Sequence, residues 1–131
     1  MRMKSVWAVT AGGLFVVGVT TIVDVVLHLA GAYPPMNEPI DNAQAVLGTS
    51  YRIVIGIAGA WLTARLAPGR PMWHAMILGC IGAGLGLIGL VFTWNTGLGP
   101  RWYGVAHVVL ALPETWIGGR IYQARQARIA G

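Results

Sequence analysis

The sequence predicts an all-α fold, a four-transmembrane-helix antiparallel bundle with both termini cytoplasmic. Three observations carry that expectation: composition, the spacing of apolar runs, and the placement of the basic residues. Of 131 residues, 56% are apolar or aromatic and only 10% are charged. A soluble domain of this size carries about a quarter charged residues. So few charges cannot make a water-compatible surface, which excludes an ordinary soluble enzyme domain and a disordered chain. Lipid is the solvent that fits.

Four apolar segments cover about 6–31, 45–66, 72–94 and 102–119 of one integral membrane domain. A helix of about 20 residues, rising 1.5 Å each, crosses a hydrocarbon core of about 30 Å. The first segment follows the basic start Met1-Arg2-Met3-Lys4, and Ala30-Gly31-Ala32 resembles a signal-peptidase site. Its apolar stretch is longer than a signal peptide's core of about 7 to 15 residues and holds Asp24 and His28, so a retained helix is expected. Pro34, Pro35 and Pro39 break the chain before the second segment. Pro68-Gly69-Arg70-Pro71 forms the turn to the third, because proline ends one helix and starts the next. Asn95-Thr96-Gly97 through Pro100 forms the turn to the fourth, the shortest segment. Short turns make neighbouring helices antiparallel.

Arg2, Lys4, Arg65, Arg70, Arg120, Arg125 and Arg128 all fall on one side of a four-span chain, and Arg101 falls on the other with Glu38 and Asp41. The positive-inside rule then puts both ends in the cytoplasm. Trp7, Trp61, Trp73, Trp94, Trp102, Tyr33, Tyr103 and Tyr122 lie near span ends, as an interfacial aromatic belt requires. The net charge of +5 sits beside apolar runs rather than on a basic face, so no nucleic-acid partner is expected.

Small residues mark the expected helix-packing faces. Gly48, Gly56 and Gly59 share a stripe with Arg52 and Thr63 on the second helix. Gly79, Gly82, Gly86 and Gly89 do so on the third, and Gly118 aligns with His107, Ala111 and Glu114 on the fourth. On the first helix, Thr10, Val17, Thr21, Asp24 and His28 are expected to face inward. Cys80, the single cysteine, is read as a small packing residue.

A charge at bilayer depth costs about 2.5–3.5 kcal/mol, so charged residues in spans should face the bundle and find partners. Asp24 and Arg52 each lie about 10 Å below the outer end of antiparallel neighbouring helices, which predicts an ion pair. Asp24, His28, Tyr51, Arg52 and His107 form the expected intramembrane polar cluster, with Thr21 close enough to join. The pair serves register and orientation as readily as function. Glu114 lies deeper, after Pro113, with no basic residue at its level. It is the candidate proton site; the structural alternative is a neutral carboxyl bonded to Thr63. No P-loop, metalloprotease or dinucleotide motif is present, so no catalytic residue and no metal site are assigned. No cofactor is predicted; His28 and His107 are the only pair for a non-covalent haem, a signal of low specificity.

Tyr51-Arg52, Leu62-Thr63-Ala64-Arg65-Leu66-Ala67-Pro68, Arg70-Pro71-Met72 and His74-Ala75 resemble a group of small bacterial four-helix integral membrane proteins. So do Val23-Asp24, Leu27-His28, Gly99-Pro100, Trp102-Tyr103, Ala111-Leu112-Pro113 and Trp116-Ile117-Gly118-Gly119. The resemblance implies the four-helix layout and a multi-pass place in the bacterial cytoplasmic (inner) membrane; it implies no activity. The expected partners are the lipid bilayer and other membrane protein subunits or a second copy. The expected role is a non-catalytic accessory or self-associating subunit. The alternative is proton- or ion-coupled transport through Glu114 and the Asp24–Arg52 pair, and a membrane enzyme or haem carrier is the weakest reading.

Overall fold

A computed structural model describes residues 2–35 and 38–130. Of the basic start, Met1 lies outside the described residues and Arg2 is described by its backbone alone. The described residues form four α-helices and no strand: α1 (Arg2–Leu29), α2 (Asn42–Leu66), α3 (Pro71–Thr93) and α4 (Arg101–Ala130).

Local chemistry sets the helix ends. α1 stops at Gly31, whose φ of +82° is the left-handed conformation that glycine adopts without a Cβ clash. The Ala32 N–H then donates to the Leu27 carbonyl at 2.9 Å and the Gly31 N–H to the His28 carbonyl at 3.2 Å, the pairing that closes a helix C-terminus. α2 opens with a capping box: Asp41 Oδ1 accepts from the Gln44 N–H at 2.8 Å, and Gln44 Oε1 accepts from the Asp41 N–H at 2.9 Å. Pro71 occupies the first turn of α3, where its missing N–H costs nothing. The Ile40 N–H donates to the Leu98 carbonyl at 2.9 Å, which joins the α1–α2 loop to the α3–α4 turn.

The pairs that touch define the helix directions. Thr63 of α2 meets Ala8 of α1, and Arg52 meets Asp24, so α1 and α2 are antiparallel. Gly79 faces Thr115 and Gly86 faces Val108, so α3 and α4 are antiparallel too. Gly48 faces Tyr103 and Gly118 faces Ala60, so α2 and α4 run the same way. α1 packs on α2 and α3 but does not reach α4.

Small residues fill the interior and large ones cover the outside. The buried apolar residues are Ala8, Ala45, Ala60, Ala64 and Ala75 with Tyr33, Ile55 and Leu78, while Leu14, Ile22, Val54, Leu85, Val91 and Phe92 are exposed. In water the order is the reverse. A lipid solvent gives no hydrophobic drive between helices, so close backbone approach takes its place. α1, α2 and α3 are each long and apolar enough to cross a membrane; α4 is long enough but less apolar.

The glycine stripes meet their neighbours unevenly. A Cβ at Gly56 would overlap the Glu114 carboxylate, and one at Gly59 would overlap Val16 of α1. Thus the α2 stripe serves α4 at Gly48 and Gly56 and α1 at Gly59. Gly79, Gly82 and Gly86 face α4, whereas a Cβ at Gly89 would meet no atom within 4 Å.

Three expectations need correction. The inner face of α1 is Ser5, Ala8, Gly12 and Val16 running to Asp24, whereas Thr10, Val17 and Thr21 are exposed. Small residues, not hydroxyls, allow the approach: a Cβ at Gly12 would overlap Thr63 Oγ1 and come within 2.9 Å of the Gly59 carbonyl. Cys80 is exposed rather than packed, because it lies on the side of α3 turned away from α4. Tyr33 and Tyr103 turn inward instead of joining an aromatic belt; Tyr33 is only 7% exposed.

Candidate functional site

Asp24 of α1 and Arg52 of α2 form the only ion pair among the described residues, Nη2 to Oδ2 at 2.8 Å. The residues around them are fixed by helix spacing. Tyr51 precedes Arg52 and donates its hydroxyl to Asp24 Oδ1. The Tyr33 hydroxyl, carried back from the Gly31 turn, lies 3.1 Å from that of Tyr51. Because the Tyr51 proton is directed at the carboxylate, any donor between the two is Tyr33, whose one proton also faces the Gln44 carbonyl at 3.4 Å. Both carboxylate oxygens of Asp24 therefore accept a hydrogen bond.

The other end of the guanidinium meets α4. Arg52 Nη1 lies 3.0 Å from His107 Nε2, and His107 Nδ1 lies 2.6 Å from the Tyr103 carbonyl. A carbonyl can only accept, so Nδ1 carries the proton and Nε2 accepts from Arg52, which makes His107 the neutral tautomer. The Tyr103 ring packs edge-on against His107 at 4.5 Å and has the Arg52 guanidinium 5.6 Å from its centroid. Three helices are thus joined through one arginine. Its Nε is buried without a hydrogen-bond partner.

Of the remaining expected members, His28 lies beside the cluster rather than in its chain of hydrogen bonds. Its Nδ1–H donates to the Asp24 carbonyl at 2.7 Å, and its ring leans on Tyr33 at 5.2 Å. Thr21 is exposed and takes no part. Glu114 sits apart, half-buried, with its carboxyl against Gly56. The proposed bond to Thr63 is not formed, because Thr63 donates to the Ala8 carbonyl of α1 at 3.0 Å. Arg65, two residues on, lies over the Trp61 ring at 5.4 Å.

Two cavities adjoin the cluster. A pocket of about 150 Å³ lies between Asp24, His28, Tyr33 and Tyr51 on one side of Arg52 and Tyr103. A larger one, about 360 Å³, lies on the α3 side of the same two residues and is walled by Gly86, Gly89, Leu90 and Trp94. The described residues contain no group of three His, Cys, Asp or Glu placed to hold a metal ion. His107 has both ring nitrogens engaged, which leaves it no lone pair for an iron.

Sequence reasoning missed a second polar junction at the opposite end. His74 of α3 is 7% exposed; its Nδ1–H donates to the Arg70 carbonyl at 2.9 Å and its Nε2 accepts from Ser5 Oγ of α1 at 2.9 Å. Its spacing with Leu78 and Gly79 on one face of α3 was the available signal. The fold and site together define a four-helix bundle in which the one ion pair among the described residues is closed within the bundle, with large apolar side chains outside. Comparison of the chain with descriptions of protein families, with curated proteins and with solved structures finds no match.

Proposed function

We propose that the chain is a multi-pass protein of the bacterial cytoplasmic membrane, with four spans and both ends cytoplasmic, acting as a non-catalytic subunit that packs against a second membrane protein or a second copy. The exposed apolar surface and the small-residue interior support a lipid setting. Trp7, Trp61, Trp73 and Trp116 gather at one end, with Arg65 and Arg120 over Trp61 and Trp116. Trp94 and Trp102 lie at the other, as interfacial anchors do.

One observation carries the subunit reading. Most glycines within these helices seat against a neighbour, as Gly12, Gly48, Gly56, Gly59, Gly79, Gly118 and Gly119 do. Gly18 of α1 and Gly84 of α3 meet nothing within 4 Å. Gly13 touches Leu78, so α1 and α3 run in a register that puts Gly18 and Gly84 at one level. A helical glycine costs about 1 kcal/mol relative to alanine. Two of them on exposed faces at the same depth fit a close approach by another helix.

Cys80 precedes Gly84 by one turn on the same face and is exposed. Oxidation with copper phenanthroline in native membranes tests the reading. A Cys80–Cys80 dimer that Gly84→Leu abolishes supports self-association; a single co-purifying protein lost with Gly84→Leu supports a larger complex. A monomer by native mass spectrometry, unaffected by Gly84→Leu and without crosslink or bound protein, rejects both.

Glu114 favours a second reading, ion- or proton-coupled transport. Its carboxyl is half-buried with no ion-pair partner among the described residues and lies about 10 Å along α4 from His107. Proton flux into proteoliposomes that Glu114→Gln abolishes supports this reading. No flux above protein-free vesicles, or flux unchanged in the variant, rejects it.

A further inference from the structure

The larger cavity has a composition that none of the roles above requires. It lies in the outer half of the bundle, between α3, α4 and the turn joining them, and its volume of about 360 Å³ falls within the usual range for small-molecule sites. The room exists because α3 presents Gly86 and Gly89 there instead of side chains. Leu90, Trp94, Leu98 and Pro100 make the walls apolar.

The polar groups at its deep end are donors. A guanidinium carries five N–H donors. Arg52 directs one to His107 and one to Asp24, which leaves one N–H on each Nη; the Nε–H is buried and has no partner. Its side chain is 30% exposed although it sits inside the bundle, and it lines this cavity. His107 offers no acceptor, since Nε2 already accepts from Arg52 and Nδ1 carries a proton. Tyr103 lines the same wall, but its hydroxyl is turned away against Gly48 of α2. At the mouth stands Arg101, held against the Trp94 ring at 4.7 Å and without an ion-pair partner among the described residues. An apolar cavity with a cation at its mouth and unused donors at its floor is complementary to one kind of ligand.

We propose that this cavity is a binding site for an amphiphilic anion, with its oxyanion received by Arg52 and an apolar chain between Leu90, Trp94 and Leu98. The site does not depend on whether the chain is a subunit or a transporter. A carboxylate on a short alkyl chain meets each requirement: two planar acceptors match the fork of the guanidinium, and the tail replaces water against the apolar wall. A neutral alcohol of equal length fills the same space but brings one weak acceptor and no charge.

The test uses the full-length chain in phosphatidylcholine nanodiscs and radiolabelled decanoate in equilibrium dialysis, with protein-free discs subtracted. Saturable binding of one decanoate per chain is expected, with decan-1-ol about tenfold weaker. Arg52→Gln removes the receiver but also breaks the Asp24 pair, so the decisive variant is Gly89→Leu. A Cβ there meets nothing within 4 Å and Gly89 lines the cavity, so the leucine takes up its space without a backbone clash. Gly89→Leu should weaken decanoate binding by about tenfold while the thermal unfolding midpoint in detergent stays unchanged or rises. Exchanging the lipid for phosphatidylglycerol identifies the source of the oxyanion. Loss of decanoate binding assigns it to the phospholipid headgroup, and retention assigns it to a free amphiphile, either result requiring the same site. Binding no greater than to empty discs, equal binding of decan-1-ol, or wild-type binding by Gly89→Leu would overturn the proposal.

Discussion

At the scale of single residues, Asp24 and Arg52 depend on each other more than either stabilises the fold alone. Both are about one-third exposed, 27% and 30% for the side chains, and both lie among apolar helices. Removing one partner strands the other charge, which costs about 3 kcal/mol at the lower end of the range for broken buried pairs. Asp24→Leu or Arg52→Met alone should therefore lower the unfolding temperature in detergent clearly, and the double variant should recover most of the loss. Equal losses that simply add in the double variant would show that the pair makes no net coupling. Glycines give a second contrast. Gly12→Ala drives a Cβ into Thr63 and the Gly59 carbonyl and should destabilise by about 1–3 kcal/mol. Gly18→Ala enters open space and should leave the monomer unchanged or more stable by up to about 1 kcal/mol. Thermal unfolding of the two proteins side by side measures the difference.

At the scale of elements, the apolar runs and their breakers were legible because lipid imposes a length and proline and glycine impose the ends. Each expected span lies within or nearly within an observed helix, and α2 begins where its capping box begins. Asp41→Ala should cost about 1 kcal/mol and speed amide exchange at 42–45 selectively, since it removes the acceptor for the Gln44 N–H. Exchange unchanged at those amides would mean that packing against α1 and α4 holds the α2 start without its cap. The inner face of α1 was misread because polar residues were taken as its marker. Thr10 and Thr21 look outward, while Ala8 and Gly12 make the contact. The Asp24–Arg52 level followed from the rise per residue on antiparallel neighbours. Tyr33, Tyr103 and His74 did not, because an aromatic or histidine at a helix end serves equally as an interfacial anchor. Only the Gly31 turn, which brings Tyr33 back over Tyr51, and the glycine at position 48, which admits the Tyr103 ring, decide their direction.

At the scale of the whole molecule, α4 decides between three and four spans in the proposed membrane arrangement. By mean hydropathy it falls short of the other three helices, since His107, Pro113 and Glu114 lower its average. An average treats all faces alike, whereas lipid meets only one. The polar residues of α4 turn toward neighbours: His107 to Arg52, Glu114 to Gly56, and Thr115 to Gly79. The outer face carries Val105, Val109, Leu112, Trp116 and Ile117. In the proposed four-span arrangement a helix packed along α2 and α3 in this way shares their depth, whereas a three-span arrangement would have to pull it from both. The basic residues add an independent constraint, because four spans gather Lys4, Arg65, Arg70, Arg120, Arg125 and Arg128 at one end of the bundle, opposite Asp41 and Arg101. Single cysteines at positions 4, 42, 69, 97 and 128 in a Cys80→Ser background separate the arrangements with a membrane-impermeant maleimide on intact spheroplasts. Positions 42 and 97 should label, whereas 4, 69 and 128 should label only after permeabilisation. Labelling of 128 without permeabilisation, with 4 and 69 still protected, would put α4 outside the bundle that its contacts with α2 and α3 require.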